Sequence, residues 1–255
     1  MVDHNGQAPR EMATATPKTR LSLGRTVPLV ILMAGLISFF AFGLHNYLSF
    51  EILRENTETL SLWVERSYVL AASAYILIYV IVVAFSLPGG AVMSITGGFL
   101  FGWIAGIFYI LIGATIGATI LFLAAKTALG DALRDRTKGA IRKLEDGFRE
   151  NAFNYLLFLR LVPALPFWLV NLVPAFLGVG LRTYVSATFI GIIPGAAVYS
   201  SVGNGLGAVL DEGGTPDLGL IFNPQILIPI IALAALALVP VLYQKYVKAK
   251  SMEQD

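Results

Sequence analysis

Five predominantly apolar stretches of the chain have a length suited to crossing a membrane: Val27–Leu44, Tyr68–Ser86, Trp103–Ala125, Tyr184–Val202 and Ile226–Tyr243. A helix needs roughly 20 such residues to cross the hydrocarbon core, so each stretch predicts one transmembrane helix. Two further apolar stretches differ in kind. Pro88–Gly102 is interrupted by Gly89, Gly90, Gly97 and Gly98, and Leu161–Gly180 by Pro163, Pro166, Pro174 and Gly178. A straight helix of about 15 residues reaches only about 22 Å, short of a core about 30 Å thick. Broken helices at membrane depth survive only where protein or a watery cavity covers the freed backbone groups. The pattern therefore predicts two re-entrant hairpins, each entering and leaving on one side.

The two broken stretches also match each other. The shift of 78 residues that lays Pro88 on Pro166 also lays Leu87 on Leu165, Gly102 on Gly180, Gly113 on Gly191, Gly117 on Gly195 and Ala118 on Ala196. The crossing Trp103–Ala125 lies between them, so the hairpins enter from opposite faces and the repeat is inverted. Broken helices in an inverted repeat are the sequence pointer to a transporter-type site. Gly and Pro also permit close helix packing, which accounts for single glycines better than for a repeated break. The predicted fold is an all-α integral membrane protein of about five transmembrane helices plus two re-entrant hairpins in an inverted repeat. Residues 1–26 read as a disordered polar tail and 27–67 as the first transmembrane helix and a polar link. Residues 68–207 form the core with both hairpin-plus-helix repeats. Residues 208–255 hold an external link, the last helix and a basic tail.

Composition narrows the class. Of the 255 residues 56% are hydrophobic and 13% charged, and the mean hydropathy is +0.75; soluble domains carry about 25% charged residues. No Asp, Glu, Lys or Arg occurs between Arg66 and Lys126. A net charge of +2 gives no argument for nucleic acid, and the absence of cysteine excludes disulfides, thiolate metal sites and thiol nucleophiles. The apolar run after Arg10, Lys18, Arg20 and Arg25 is long for a signal peptide and has no small-x-small site after it, so it reads as an uncleaved span. Lys126–Asn154 is the main polar excursion. Ile141, Leu144 and Phe148 share one helical face there, as in a helix lying in the membrane interface or a solvated connector. The basic residues of this link and Lys245, Lys248 and Lys250 place the centre and C-terminus in the cytoplasm, whereas Gly203–Asn223 carries only Asp211, Glu212 and Asp217 and falls outside. Five crossings then leave the basic N-terminal tail outside, in conflict with the same rule. The membrane implied is the plasma (bacterial cytoplasmic) membrane.

Arg160 is the leading candidate for chemistry. It stands at the mouth of the second hairpin among apolar neighbours. An Arg in mid-membrane costs on the order of 2.5–3.5 kcal/mol and usually marks a pathway or a partner. Its planar fork suits phosphate, although it could instead snorkel or tie down hairpin carbonyls. Pro88 and Pro166 can open the inner arms of the hairpins, whose helix N-termini attract anions; simple kinks are the competing reading. Pro163 belongs to the same break, and Asn171 can add a donor. Gly97, Gly98, Gly102, Gly191 and Gly195 serve the turn and close packing. Asp131, Arg134 and Arg136 are gating charges or an ordinary solvated face. His4 and His45 lie in the tail and a loop and offer no metal site, and no cofactor is implied. Trp63, Trp103 and Trp168 suit interfacial anchoring. With no Cys, no membrane His and no acid pair in the apolar core, enzyme chemistry is not expected.

The run Gly97-Gly98-Phe99-Leu100-Phe101-Gly102 resembles the first-hairpin motif of the DedA superfamily, the VTT-domain or SNARE-associated Golgi proteins. Phe158-Leu159-Arg160-Leu161-Val162-Pro163, continuing through Pro166, Phe167 and Asn171, resembles its second-hairpin motif, and Gly191, Pro194, Gly195 and Tyr199 the helix that follows. The likeness covers roughly residues 68 to 207. It implies two inward-facing re-entrant hairpins and movement of lipids between leaflets, either a polyprenyl-phosphate carrier or phospholipids. The chain departs from DedA-proper members in having no acid from Ser67 to Ala125. It is in this respect similar to the Tvp-like branch, and proton coupling is in doubt. Expected partners are membrane lipids, with a homo-oligomer allowed. A secondary transporter of a small solute or ion, an anion among them, and a non-transporting membrane-homeostasis scaffold stand as alternatives.

Overall fold

The computed structural model describes residues 23–44, 48–134, 140–162 and 166–205, with scattered residues between 223 and 239. Regular structure among the described residues is helical: α1 (Leu23–Ala41), α2 (Phe50–Glu55), α3 (Thr57–Arg66), α4 (Tyr68–Ala84), α5 (Gly90–Phe101), α6 (Trp103–Arg134), α7 (Ala140–Leu161), α8 (Phe167–Phe176) and α9 (Leu181–Asn204). Four predicted crossings coincide with α1, α4, α6 and α9. The fifth, Ile226–Tyr243, lies for most of its length outside the described residues, as do Pro163 and the two tails. Trp103–Ala128 of α6 and Leu181–Asn204 are long and apolar enough to cross a membrane, while α4, α5, α8 and most of α1 are shorter apolar helices.

Two boundaries differ from the sequence expectation. Helix α6 runs past Ala125 because Lys126 does not interrupt it: its ammonium lies 5.4 Å from the Phe122 ring centroid and donates to the Val179 carbonyl at 2.6 Å. The long stem carries the charge to that carbonyl while the backbone stays helical. The polar link before Tyr68 also folds. Ser49 caps α2 by accepting the Ile52 N–H at 3.3 Å, and Leu53 and Val64 turn inward and are buried. Helix α7 is kinked at Asn151 (φ −133, ψ 35). Phe148 is buried and stacks on Tyr155 at 5.1 Å, so at this position the apolar face of the link meets protein.

The first broken stretch is one helix with a turn at each end. Phe101 meets the rings of Tyr68 and Tyr75, while Ser94 meets Tyr79, so α5 runs back along α4. Gly102 (φ 78, ψ 171) then reverses the chain into α6, which descends parallel to α4. Tyr109 contacts Tyr68, Gly113 faces Tyr79 and Gly117 faces Val80 and Val83. The Gly102 conformation belongs almost solely to glycine. Gly102→Ala is expected to cost about 1–3 kcal/mol, seen as a lower thermal midpoint of the purified protein.

The second half follows the same plan. Helices α6 and α9 begin 78 residues apart, at Trp103 and Leu181, and Gly113 faces Tyr79 as Gly191 faces Leu157. The two long helices are antiparallel. Trp103 Nε1 donates to the Ala197 carbonyl at 3.3 Å and Ser200 Oγ to the Trp103 carbonyl at 2.9 Å. At the other end Phe122 stacks on Tyr184 at 4.1 Å. Each short helix packs on the long helix of the other half, α5 on α9 and α8 on α6. The α5–α9 crossing brings backbones together: a Cβ on Gly98 would strike the Ser200 carbonyl, and one on Gly203 the Ile95 carbonyl.

Candidate functional site

Between the two halves lies a cavity of about 490 Å³. From the first half it is lined by Tyr79 and Val82 of α4, the turn Leu87–Gly89, and Gly90, Ala91 and Ser94 of α5. From the second come Arg160 and Leu161 of α7, Phe167 and Val170 of α8, and Gly191, Pro194, Gly195 and Tyr199 of α9. The shift of 78 residues carries Val82 onto Arg160, so equivalent positions of the two halves face the same space, one apolar and one charged.

Arg160 is held in a neutral cage. Its Nη2 donates to Asn171 Oδ1 at 2.8 Å, Tyr184 Oη at 2.8 Å and Thr188 Oγ1 at 2.9 Å, three acceptors around two protons. The Tyr184 hydroxyl reaches Asn171 Oδ1 at 2.8 Å and the Ala118 carbonyl at 3.2 Å, and Asn171 Nδ2 donates to the Phe167 carbonyl at 3.0 Å. Asn171, Tyr184 and Thr188 are all 0% exposed. Gly191 makes room for the arginine stem, since a Cβ there would stand 2.5 Å from Arg160 Cβ. The cage fixes the guanidinium without neutralising it: no Asp or Glu lines the cavity, and among the described residues buried Nε has no partner. A partly buried charge without a counter-ion is costly to hold.

Two helix N-termini flank this charge. Helix α5 starts at Gly90 after Pro88 and left-handed Gly89 (φ 118), and α8 starts at Phe167 after Pro166; neither has a side-chain cap. Gly90, Ala91 and Phe167 line the cavity, so partial positive charge and first-turn N–H groups from both halves converge near Arg160. Pro88 lies on the cavity wall, and Asn171 acts behind it through Arg160. Pro194, Gly195 and Tyr199 line it from α9. Gly195, expected to allow close packing, has open space instead, with nothing within 4 Å of an added Cβ. The remaining first-hairpin residues sit elsewhere. Phe101 belongs to an aromatic cluster with Tyr68, Tyr75 and Tyr109, Gly97 packs on Tyr75, and Gly98 on the backbone of Ser200. Trp63, Trp103 and Trp168 are all exposed, as interfacial anchors are. Among the described residues no group of three or more His, Cys, Asp or Glu gathers to hold a metal.

Tyr184 and Thr188 escaped the sequence reading, yet they stand at helical spacing (i, i+4, i+7) with Gly191, on the face that meets Arg160. Tyr79 and Ser94 also escaped it; the shift of 78 residues pairs Ser94 with Leu172, so the repeat gave no hint of polarity there.

Comparison with known proteins identifies the family. Residues 87–205 match the VTT domain family, the stretch that contains both short helices, both long ones and the cavity lining other than its α4 residues. The chain is 30% identical over 203 residues to Transmembrane protein 41 homolog of Dictyostelium discoideum, covering 78% of this chain and 59% of that one. It is 26% identical to Transmembrane protein 41B of Mus musculus and 27% identical to that of Homo sapiens, each over 197 residues, 76% of this chain and 65% of the relative. The chain thus spans about three fifths of the length of these relatives. No solved structure matches. The protein is a VTT-domain protein of the DedA superfamily, homologous to the Transmembrane protein 41 proteins, and an integral membrane protein.

Proposed function

We propose that this protein moves phosphate-bearing lipids, phospholipid or polyprenyl phosphate, between leaflets, and that it acts as a transporter with no enzymatic step. The observation that carries the reading is the unneutralised Arg160 fork on the wall of a cavity between the halves, flanked by two uncapped helix N-termini. In this reading α5 and α8, with their turns, are the inner arms of two re-entrant hairpins in an inverted repeat, and the phosphate pauses where the arms meet. Arg160 supplies fixed charge-assisted donors, and the helix ends add partial charge. The cavity holds a headgroup while the acyl chains remain in the bilayer. About five crossings, the plasma membrane, and a cytoplasmic central link and C-terminus complete the proposal. The relatives' names support the membrane setting.

The cavity volume, within the roughly 300–1,000 Å³ of small-molecule sites, also favours a second reading, transport of a small soluble anion. Ligand-induced stabilisation separates the two. A ligand bound to the native state at about 100 times its Kd adds about 2.7 kcal/mol of apparent stability. Short-chain anionic phospholipid or polyprenyl phosphate is expected to raise the thermal midpoint in detergent, with inorganic phosphate and other soluble anions giving no shift. The reverse pattern overturns the lipid reading in favour of the soluble anion.

A further inference from the structure

The cavity has a second polar group, opposite in character to Arg160 and contributed by the other half. Tyr79 and Ser94 both line it, and their side-chain oxygens stand 2.9 Å apart. The direction of that bond follows from its neighbour. Ser94 Oγ lies 2.7 Å from the Gly90 carbonyl, which can only accept, so the single serine proton goes there. Tyr79 must then donate its own proton to Ser94. The phenol oxygen is left with a lone pair and no proton to give, an acceptor on the wall of a cavity whose charged group, Arg160, can only donate.

We infer that Tyr79, oriented by Ser94, is a specificity-determining residue that accepts a hydrogen bond from the lipid headgroup beyond its phosphate, and that the preferred headgroup is an anionic one bearing a hydroxyl. This rests on the lipid reading above and deepens it. The choice of hydroxyl over ammonium follows from charge. Arg160 is not neutralised, the α5 N-terminus opens on the same space, and no acid lies among the residues lining the cavity. A second cation there meets like charge with no counter-ion, whereas a neutral hydroxyl meets only an acceptor. A quaternary ammonium has no proton to donate at all. The two halves thus read different parts of one headgroup: the second takes the phosphate and the first takes the polyol.

The test uses the full chain in neutral detergent and four short-chain lipids matched in acyl length: phosphatidylglycerol, phosphatidylmethanol (the same singly charged phosphodiester without a hydroxyl), phosphatidylethanolamine and phosphatidylcholine. Wild-type protein is expected to bind phosphatidylglycerol about 3- to 10-fold more tightly than phosphatidylmethanol, the value of one net hydrogen bond, and more tightly still than the two zwitterionic lipids. Tyr79→Phe removes the acceptor and leaves Ser94 bonded to Gly90, so no buried donor is orphaned. In this variant phosphatidylmethanol is expected to bind as in wild type and the phosphatidylglycerol advantage to vanish. Equal binding of the two anionic lipids by wild type, or an advantage that survives in Tyr79→Phe, overturns this inference and leaves the lipid reading standing. No binding of any of the four lipids by wild type overturns this inference together with its phospholipid premise.

Discussion

Gly203→Leu is expected to yield no stably folded protein, while Gly195→Leu, eight residues earlier on the same helix, folds and loses transport. Gly203 and Gly98 lie where α9 and α5 touch through their backbones; the atoms that a side chain would meet are the Ile95 and Ser200 carbonyls, and backbone cannot rotate aside as a flexible side chain does. Overpacking a well-filled core typically costs 1–3 kcal/mol, and driving apart a helix crossing exceeds that against a total stability of about 5–15 kcal/mol. A Cβ on Gly195 meets nothing within 4 Å, and the residue lines the cavity. A leucine there occupies space that the headgroup needs. Size-exclusion profile and thermal midpoint check the first variant. The second should keep both and lose lipid-induced stabilisation.

The other large effect concerns Arg160. Arg160→Met keeps an unbranched stem and removes the guanidinium and its charge. Asn171 Oδ1 keeps the Tyr184 hydroxyl at 2.8 Å, and Thr188, which loses the arginine, has a hydroxyl that can turn to the carbonyl one turn earlier in α9. Arg160 is partly buried, and taking a charge with no counter-ion out of such a setting removes a desolvation cost. The thermal midpoint is therefore expected to hold or rise. Anion binding should fall on the order of 30-fold or more, the equivalent of at least the roughly 2 kcal/mol lost when one partner of a buried, hydrogen-bonded charge pair is removed. A residue retained only to brace the fold would show the opposite, a fall in midpoint. Stability traded for function is common where a site carries charge for its ligand.

How much of this was legible in the sequence differs by scale. The apolar runs and their breaks marked α1, α4, α6 and α9 and set α5 and α8 apart, because length and Gly–Pro interruption are local properties. The shift of 78 residues reaches further, since it pairs the starts of α6 and α9 and the Tyr79–Gly113 contact with Leu157–Gly191. Arg160 stood out because an arginine among apolar residues is rare. Its cage did not, as Tyr184 and Thr188 are 24 and 28 residues away in sequence and ordinary in an apolar helix until folding buries them. The same holds for the Tyr79–Ser94 pair. Polarity set the end of a span at Lys126, and the helix runs on past it. A charge marks where a helix leaves an apolar setting, which is not where the helix ends. The glycines divided only in three dimensions: Gly98 and Gly203 serve backbone contact, Gly191 serves Arg160, and Gly195 opens on the cavity.

Leaflet exchange in liposomes tests the central claim most directly. Purified protein is reconstituted with a trace of labelled anionic phospholipid, and the label is quenched from outside. Wild type and Gly195→Leu are compared with protein-free vesicles. The account predicts near-complete quenching with wild type and about half quenching with the variant and without protein, because only the outer leaflet is then reached. Half quenching with folded wild-type protein across several headgroups, polyprenyl phosphate included, would contradict lipid translocation by this protein.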